Sequence, residues 1–180
     1  MPERNYSHVG RSPIEEQLSS WLQSYGDSIL MMVPVLAFAE ACIGIGVFVS
    51  GALLLGLAVF LYGNAIASVE LIASLAMLGA FAGDHAGYYC GYFLGPKLLQ
   101  RFESSRHRTR IQRAESFIRR FGTAAIFAGR FIPAIRSLVP ALVGASAYSR
   151  QKYALVDLLA CGLWTAALAG LVLGIDVIVF

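Results

Sequence analysis

Long apolar blocks fill this chain, and the interruptions inside them carry most of its information. Residues 29–62 make a block too long for one comfortable membrane crossing and too short for two crossings joined by a loop. Within it, Pro34, Glu40, Gly44, Gly46, Ser50 and Gly51 stand where a lipid-facing helix would carry Leu or Val. Glycines beside a carboxylate predict a broken, re-entrant helical hairpin over about 33–52, with its irregular backbone shielded by protein. A plain crossing is expected to follow from Gly51 to Tyr62 or Ser68. Residues 71–95 form a second embedded segment in which Gly79, Gly83, Gly87, Gly91 and Gly95 recur every fourth position. That spacing predicts one glycine face on a helix, suited to close approach by another helix. Ligand contact is the minor reading of the same glycines.

The second half repeats this character. Residues 122–150 are apolar but interrupted by Pro133 and Pro140, each of which removes a backbone donor and biases the preceding residue away from helix. Arg130 and Arg136 put two permanent charges into the same segment. A second hairpin is expected there, leaving the membrane at Arg150 and Lys152, before a last crossing over about 153–176. Glu40 and Arg130 thus lie in two broken segments at corresponding places, the pattern of an inverted-repeat transporter. The expected fold is an all-α integral membrane protein of transmembrane helices and two re-entrant hairpins. Residues 1–28 stand apart: Ser12, Pro13, Glu15 and Glu16 form a helix start, and Ile14, Leu18, Trp21, Leu22 and Tyr25 share a face. This stretch would lie at the membrane interface or pack as a soluble helix on the membrane domain spanning 29–180.

Composition narrows the class. Of 180 residues 57% are hydrophobic and only 14% charged, against roughly 25% charged in an average soluble domain. No Lys or Arg occurs from Ser12 to Pro96, whereas eight of the fourteen cationic residues lie between Lys97 and Arg120. A short basic stretch flanked by membrane segments is expected to face the cytoplasm and anionic lipid headgroups. It is too short to form a folded nucleic-acid module, so nucleic acid is not an expected partner. Cys42, Cys90 and Cys161 sit in apolar contexts without metal spacing and are expected as buried small hydrophobes. No cofactor or metal follows from them. His8, His85 and His107 are scattered, and no Ser or Cys stands beside a credible base, which argues against an enzyme.

Charges inside a membrane are functional candidates by default. Arg130 and Arg136, six residues apart on a Pro-kinked backbone, would form a fork able to hold a phosphate. Glu40 and Asp84 would neutralise them in the absence of an anion and take up protons on its arrival. The alternative is that the same ion pairs only lock segments together. His85 is either a packing residue or a proton relay, and Asp157 either caps a helix or serves the site. Glu70 and Asp176 are expected at the interface. Gly51, Gly83, Gly87, Pro133, Pro140 and Gly144 are expected as hinge or packing positions.

The run Gly129-Arg130-Phe131-Ile132-Pro133, followed by Arg136, Pro140 and Gly144 and preceded by Phe121-Gly122, resembles the signature of the DedA family, also called the SNARE-associated Golgi or VTT-domain family. Gly83-Asp84, Gly87-Tyr88, Gly91 and Gly95 fit upstream, Glu40 fits the glutamate of the first hairpin, and Gly162 and Trp164 fit downstream. The resemblance spans about residues 36–175. It implies a bacterial cytoplasmic-membrane protein that moves a phosphorylated polyprenyl lipid, undecaprenyl phosphate above all, with proton coupling and membrane phospholipids as neighbours. Three departures stand out. Ser50-Gly51-Ala52 replaces the family's Pro-Gly-acid corner, Asp157 replaces a usual Asn, and the chain stops short of a further helix, so that a homodimer is expected to supply a missing wall.

Overall fold

A membrane interior offers the backbone no water, so apolar chain within it must satisfy its own hydrogen bonds, and helices do so locally. The computed structural model describes residues 25–42, 51–101, 108–131, 136–146 and 148–179, and every regular element among them is helical. A helical stretch at 25–30 leads into α1 (Met32–Ala41). After it come α2 (Gly51–Gly63), α3 (Val69–Arg101), α4 (Arg108–Phe131), α5 (Val139–Ala145) and α6 (Arg150–Val179). Residues 1–24, most of the expected interfacial segment, lie outside the described residues, as does Pro133.

Two helices are long and apolar enough to cross a membrane, through Val69–Gly95 of α3 and Arg150–Ile175 of α6. They lie antiparallel: Tyr88 stacks on Tyr153 near one end, and Ile72 and Ala76 share a core cluster with Leu168 and Val172 near the other. The crossing expected after Gly51 corresponds to α2, described as a 13-residue apolar helix and shorter than the two of crossing length; residues 43–50, just before it, lie outside the described residues. The end of α2 is set locally: Ile66 N–H bonds to Leu61 C=O and Ala65 N–H to Tyr62 C=O, both at 2.9 Å, with Ala65 left-handed at φ 53°. This is a Schellman turn, and Ser68 then caps α3 by accepting the Leu71 N–H. The last crossing starts at Arg150 rather than Tyr153, so Arg150 and Lys152 belong to its first turn. Arg150 rests over the ring of Tyr92, 4.5 Å from its centroid, on α3.

The glycine face of α3 serves two partners. Each step of four residues advances about 40° around a helix of 3.6 residues per turn, so the row from Gly79 to Gly95 winds about 160°. On its first part, Gly79 meets the backbone of Pro34 and Gly83 that of Phe38, so α1 runs parallel to α3. On its last part, Gly91 meets the backbone of Ala141 and Gly95 that of Ala145, so α5 also runs parallel to α3, further along it. Gly144 reciprocates from α5 against the Tyr88 carbonyl, and Gly87 is buried between the two contacts. A Cβ at any of the outer four would enter a neighbour's backbone or side chain. These residues act as packing positions. α4 is broken at Gly122, whose φ of 41° and ψ of −111° separate its basic half from the half that carries Arg130.

Polarity is inverted relative to a soluble domain. Val35, Leu78, Leu159, Val177 and Ile178 are exposed, while Glu40, Asp84, Arg130, Arg136 and Asp157 are each at most 8% exposed. This is the distribution expected when lipid is the outer solvent and charges are kept to the interior. The cysteine expectation holds for Cys161 alone, because Cys42 is only partly buried and Cys90 is exposed.

Candidate functional site

The charged residues converge halfway along α3, where the end of α1 and the approach to α5 meet. Glu40 occupies the last turn of α1, and its Oε1 pairs with Arg136 Nη1. Gly51, at the start of α2, leaves room for that carboxylate, since a Cβ there would stand 2.9 Å from Glu40 Oε1. Arg130, at the end of α4, directs Nη1 at Asp84 Oδ2 and, 3.2 Å away, at Asp157 Oδ1. Apolar clusters close the site at both ends, one around Ala37, Leu54, Ala76 and Leu168, the other around Tyr88, Ile126, Val143 and Tyr153.

His85 joins the network from the side. Its Nδ1 lies 3.0 Å from the Phe81 carbonyl and 3.4 Å from Asp157 Oδ2, and its side chain is 21% exposed against 3% for Asp157. Asp157 therefore lies within the cluster, between a partly exposed imidazole and a buried guanidinium. Pro140 lines the cavity beside Arg130 and Arg136, together with Asp84, Ile126, Val139, Tyr153 and Asp157. This cavity has room for about one water molecule.

The pairing is incomplete. Among the described residues, Nε and Nη2 of both Arg130 and Arg136 are buried without a hydrogen-bond partner, as are Glu40 Oε2 and Asp157 Oδ2. A guanidinium has five N–H donors in a planar fork, and each arginine here commits only Nη1. A buried donor left unmet costs about 1–3 kcal/mol, more when charged. Arg130 and Arg136 both line the cavity, and between them they carry four such nitrogens. Asp84, Asp157 and Cys161 bring possible ligating atoms within 4.8 Å of one another, but Arg130 already points its cation at both carboxylates.

Sequence reasoning missed three members. Tyr153 donates its hydroxyl to the Asp84 carbonyl at 3.2 Å, Cys161 Sγ lies 4.0 Å from Asp84 Oδ2, and Trp164 sets its ring 4.5 Å from Arg136 Cζ and 5.7 Å from Arg130 Cζ. The signal was present: 153, 157, 161 and 164 are spaced four, four and three apart, one face of α6 pointing at the site.

A helical protein with apolar helices of crossing length, an apolar exterior and a buried cluster of arginines and carboxylates belongs to the class of membrane proteins. The chain matches the VTT domain over residues 26–173, which includes every residue of this site, and it belongs to the VTT-domain (DedA) family. A relative, inner membrane protein YohD of Escherichia coli (strain K12), is 32% identical over 94 residues, covering 52% of this chain and 48% of that protein. The match thus spans about half the length of the relative. No solved structure gives a significant match.

Proposed function

We propose that this protein moves a phosphorylated lipid, undecaprenyl phosphate in the leading version, across a bacterial cytoplasmic membrane, with Arg130 and Arg136 holding the phosphate. The observation that carries this reading is the set of unmet Nε and Nη2 donors on two buried arginines. A phosphate oxygen accepts from such a fork in paired, charge-assisted hydrogen bonds. Room for only about one water means that the described state is closed. The anion enters when Glu40 and Asp84 give up their arginines and the elements around the cavity part. The activity moves its substrate without covalent chemistry.

Proton coupling follows from counting charge. Two guanidiniums face three carboxylates in the cluster, leaving one excess negative charge until a proton resides on His85 or on a carboxylate. His85, at the partly exposed end of the chain His85–Asp157–Arg130, is the residue through which that proton passes.

The alternating-access geometry draws support from packing. α1 lies on α3 and α4 on α6; α2 lies on α6 and α5 on α3; α1 touches α2 and α4 touches α5. Exchanging α1, α2 and α3 with α4, α5 and α6 returns these six pairs, although the slighter contact of α2 with α3 has no counterpart of equal extent between α5 and α6 among the described residues; the partial correspondence supports an inverted repeat. In that reading α1–α2 and the second half of α4 with α5 are the two re-entrant hairpins, tipped by Glu40 and Arg130. The basic stretch 97–120 faces the cytoplasm and its anionic lipids.

The test is exchange of a fluorescent polyprenyl phosphate between leaflets of proteoliposomes, comparing the unaltered protein with Arg130→Ala and Arg136→Ala. Transport lost in folded variants supports the site. Equal exchange by all three, no faster than empty liposomes, removes the reading. A second reading, a structural lock, is favoured by one observation: both arginines are already ion-paired. It predicts that reversing a pair preserves activity.

A further inference from the structure

Trp164 lies within cation–π reach of two guanidiniums at once, 4.5 Å from Arg136 Cζ and 5.7 Å from Arg130 Cζ. Two like charges brought to one cavity repel, and each is tied to a carboxylate through Nη1 alone. An indole face attracts a guanidinium without accepting its N–H groups. Contact with Trp164 therefore restrains both arginines while leaving Nε and Nη2 uncommitted, in agreement with those atoms being buried and unpartnered. An acceptor side chain in its place would consume the donors. An aliphatic one would offer no attraction to offset the repulsion.

We propose that Trp164 is a positioning residue for the oxyanion site: its ring holds Arg130 and Arg136 with their unpaired donors directed at one anion. This inference rests on the phosphate reading above. The ring also becomes a reporter, because an anion drawn between the arginines alters the charge beside the indole.

The experiment uses the full chain in detergent and in proteoliposomes. Only Trp21 and Trp164 are present, so Trp21→Phe isolates the fluorescence of Trp164. Inorganic phosphate and a short-chain isoprenyl phosphate serve as probes. Titration is expected to give a saturable change in Trp164 emission that Arg136→Gln abolishes. In transport, Trp164→Leu is expected to raise the half-saturating lipid phosphate concentration about tenfold, with a smaller effect on the maximal rate, and Trp164→Phe to recover most of the loss, from the size of a desolvated cation–π contact. Equal half-saturation in the unaltered protein, Trp164→Phe and Trp164→Leu overturns the inference. Should Trp164→Leu fail to fold, a Trp21→Phe protein that transports but shows no emission response to either probe overturns it instead. Full transport by Arg130→Ala and Arg136→Ala would mean that the phosphate reading itself had failed. Loss in those variants with Trp164→Leu unaffected would remove the role of Trp164 alone.

Discussion

Asp84 and Asp157, from helices that run in opposite directions, present carboxylate oxygens to the same nitrogen, Nη1 of Arg130. Among the described residues Arg136 has one carboxylate contact, with Glu40. The two arginines are therefore not equivalent. Arg130 sits in a shared pair that tolerates loss of one acid, and Arg136 in a single pair that does not.

That asymmetry predicts stabilities. Glu40→Ala leaves Arg136 buried without its carboxylate, and removal of one partner of a buried pair costs about 3–5 kcal/mol. Asp84→Asn leaves Arg130 with Asp157 and is expected to cost about half as much. Adding Arg136→Met to Glu40→Ala should recover most of the first loss, since replacing both charges is often near neutral. Denaturant unfolding in detergent measures all three, and equal costs for the two acids would contradict the geometry.

Reversing a pair separates transport from locking. In Glu40→Arg combined with Arg136→Glu the ion pair survives but the cation is moved to α1. The protein is expected to fold and to lose at least about tenfold in transport rate, given the geometric demands of paired phosphate contacts. Unaltered transport would favour the structural lock.

Charge counting predicts a proton stoichiometry. Asp157→Asn leaves two arginines facing two carboxylates, a balanced cluster with no place for the extra proton. Phosphate binding by the unaltered protein is expected to exchange protons with the buffer, and binding by Asp157→Asn to exchange fewer. Calorimetry in buffers of different ionisation enthalpy reads this directly; an apparent enthalpy independent of buffer for the unaltered protein would end the coupling argument.

Backbone contact makes α3 intolerant of small changes. At Gly91 a Cβ would penetrate the Ala141 backbone, so Gly91→Ala is expected to cost about 1–3 kcal/mol, the range for overpacking. Gly56, with open space around it, should accept Ala at no cost or with a small gain from helix propensity. Thermal unfolding of the two variants side by side checks the contrast.

Much of this was legible in the sequence. Arg130, Arg136, Glu40 and Asp84 stand out because lipid makes charge conspicuous, whereas Pro34, expected as an interruption, lies inside α1. The pairing was not legible. Nothing in the order of residues says that Arg136 meets Glu40 while Arg130 meets two aspartates, since those contacts join residues 96, 46 and 27 apart. Four-residue spacing predicts a single glycine face, but the drift of about 40° per step lets the row receive two helices. Tyr153 looks like lipid-facing bulk in an apolar helix until its neighbours are known, and Trp164, although it carries part of the family resemblance, gives no sign in the sequence that its ring faces two arginines.

The winding glycine row of α3 also divides that helix by how its sequence can drift over time. Along that row an added carbon at Gly79, Gly83, Gly91 or Gly95 meets a neighbouring helix, so substitution there is closed. The opposite side, with Leu71, Leu78 and Phe93 exposed, needs only to remain apolar, and side chains of many sizes meet that need. Among descendants of this protein, α3 should therefore change along one side and stand still along the other, and the boundary between the two should turn around the helix as it goes.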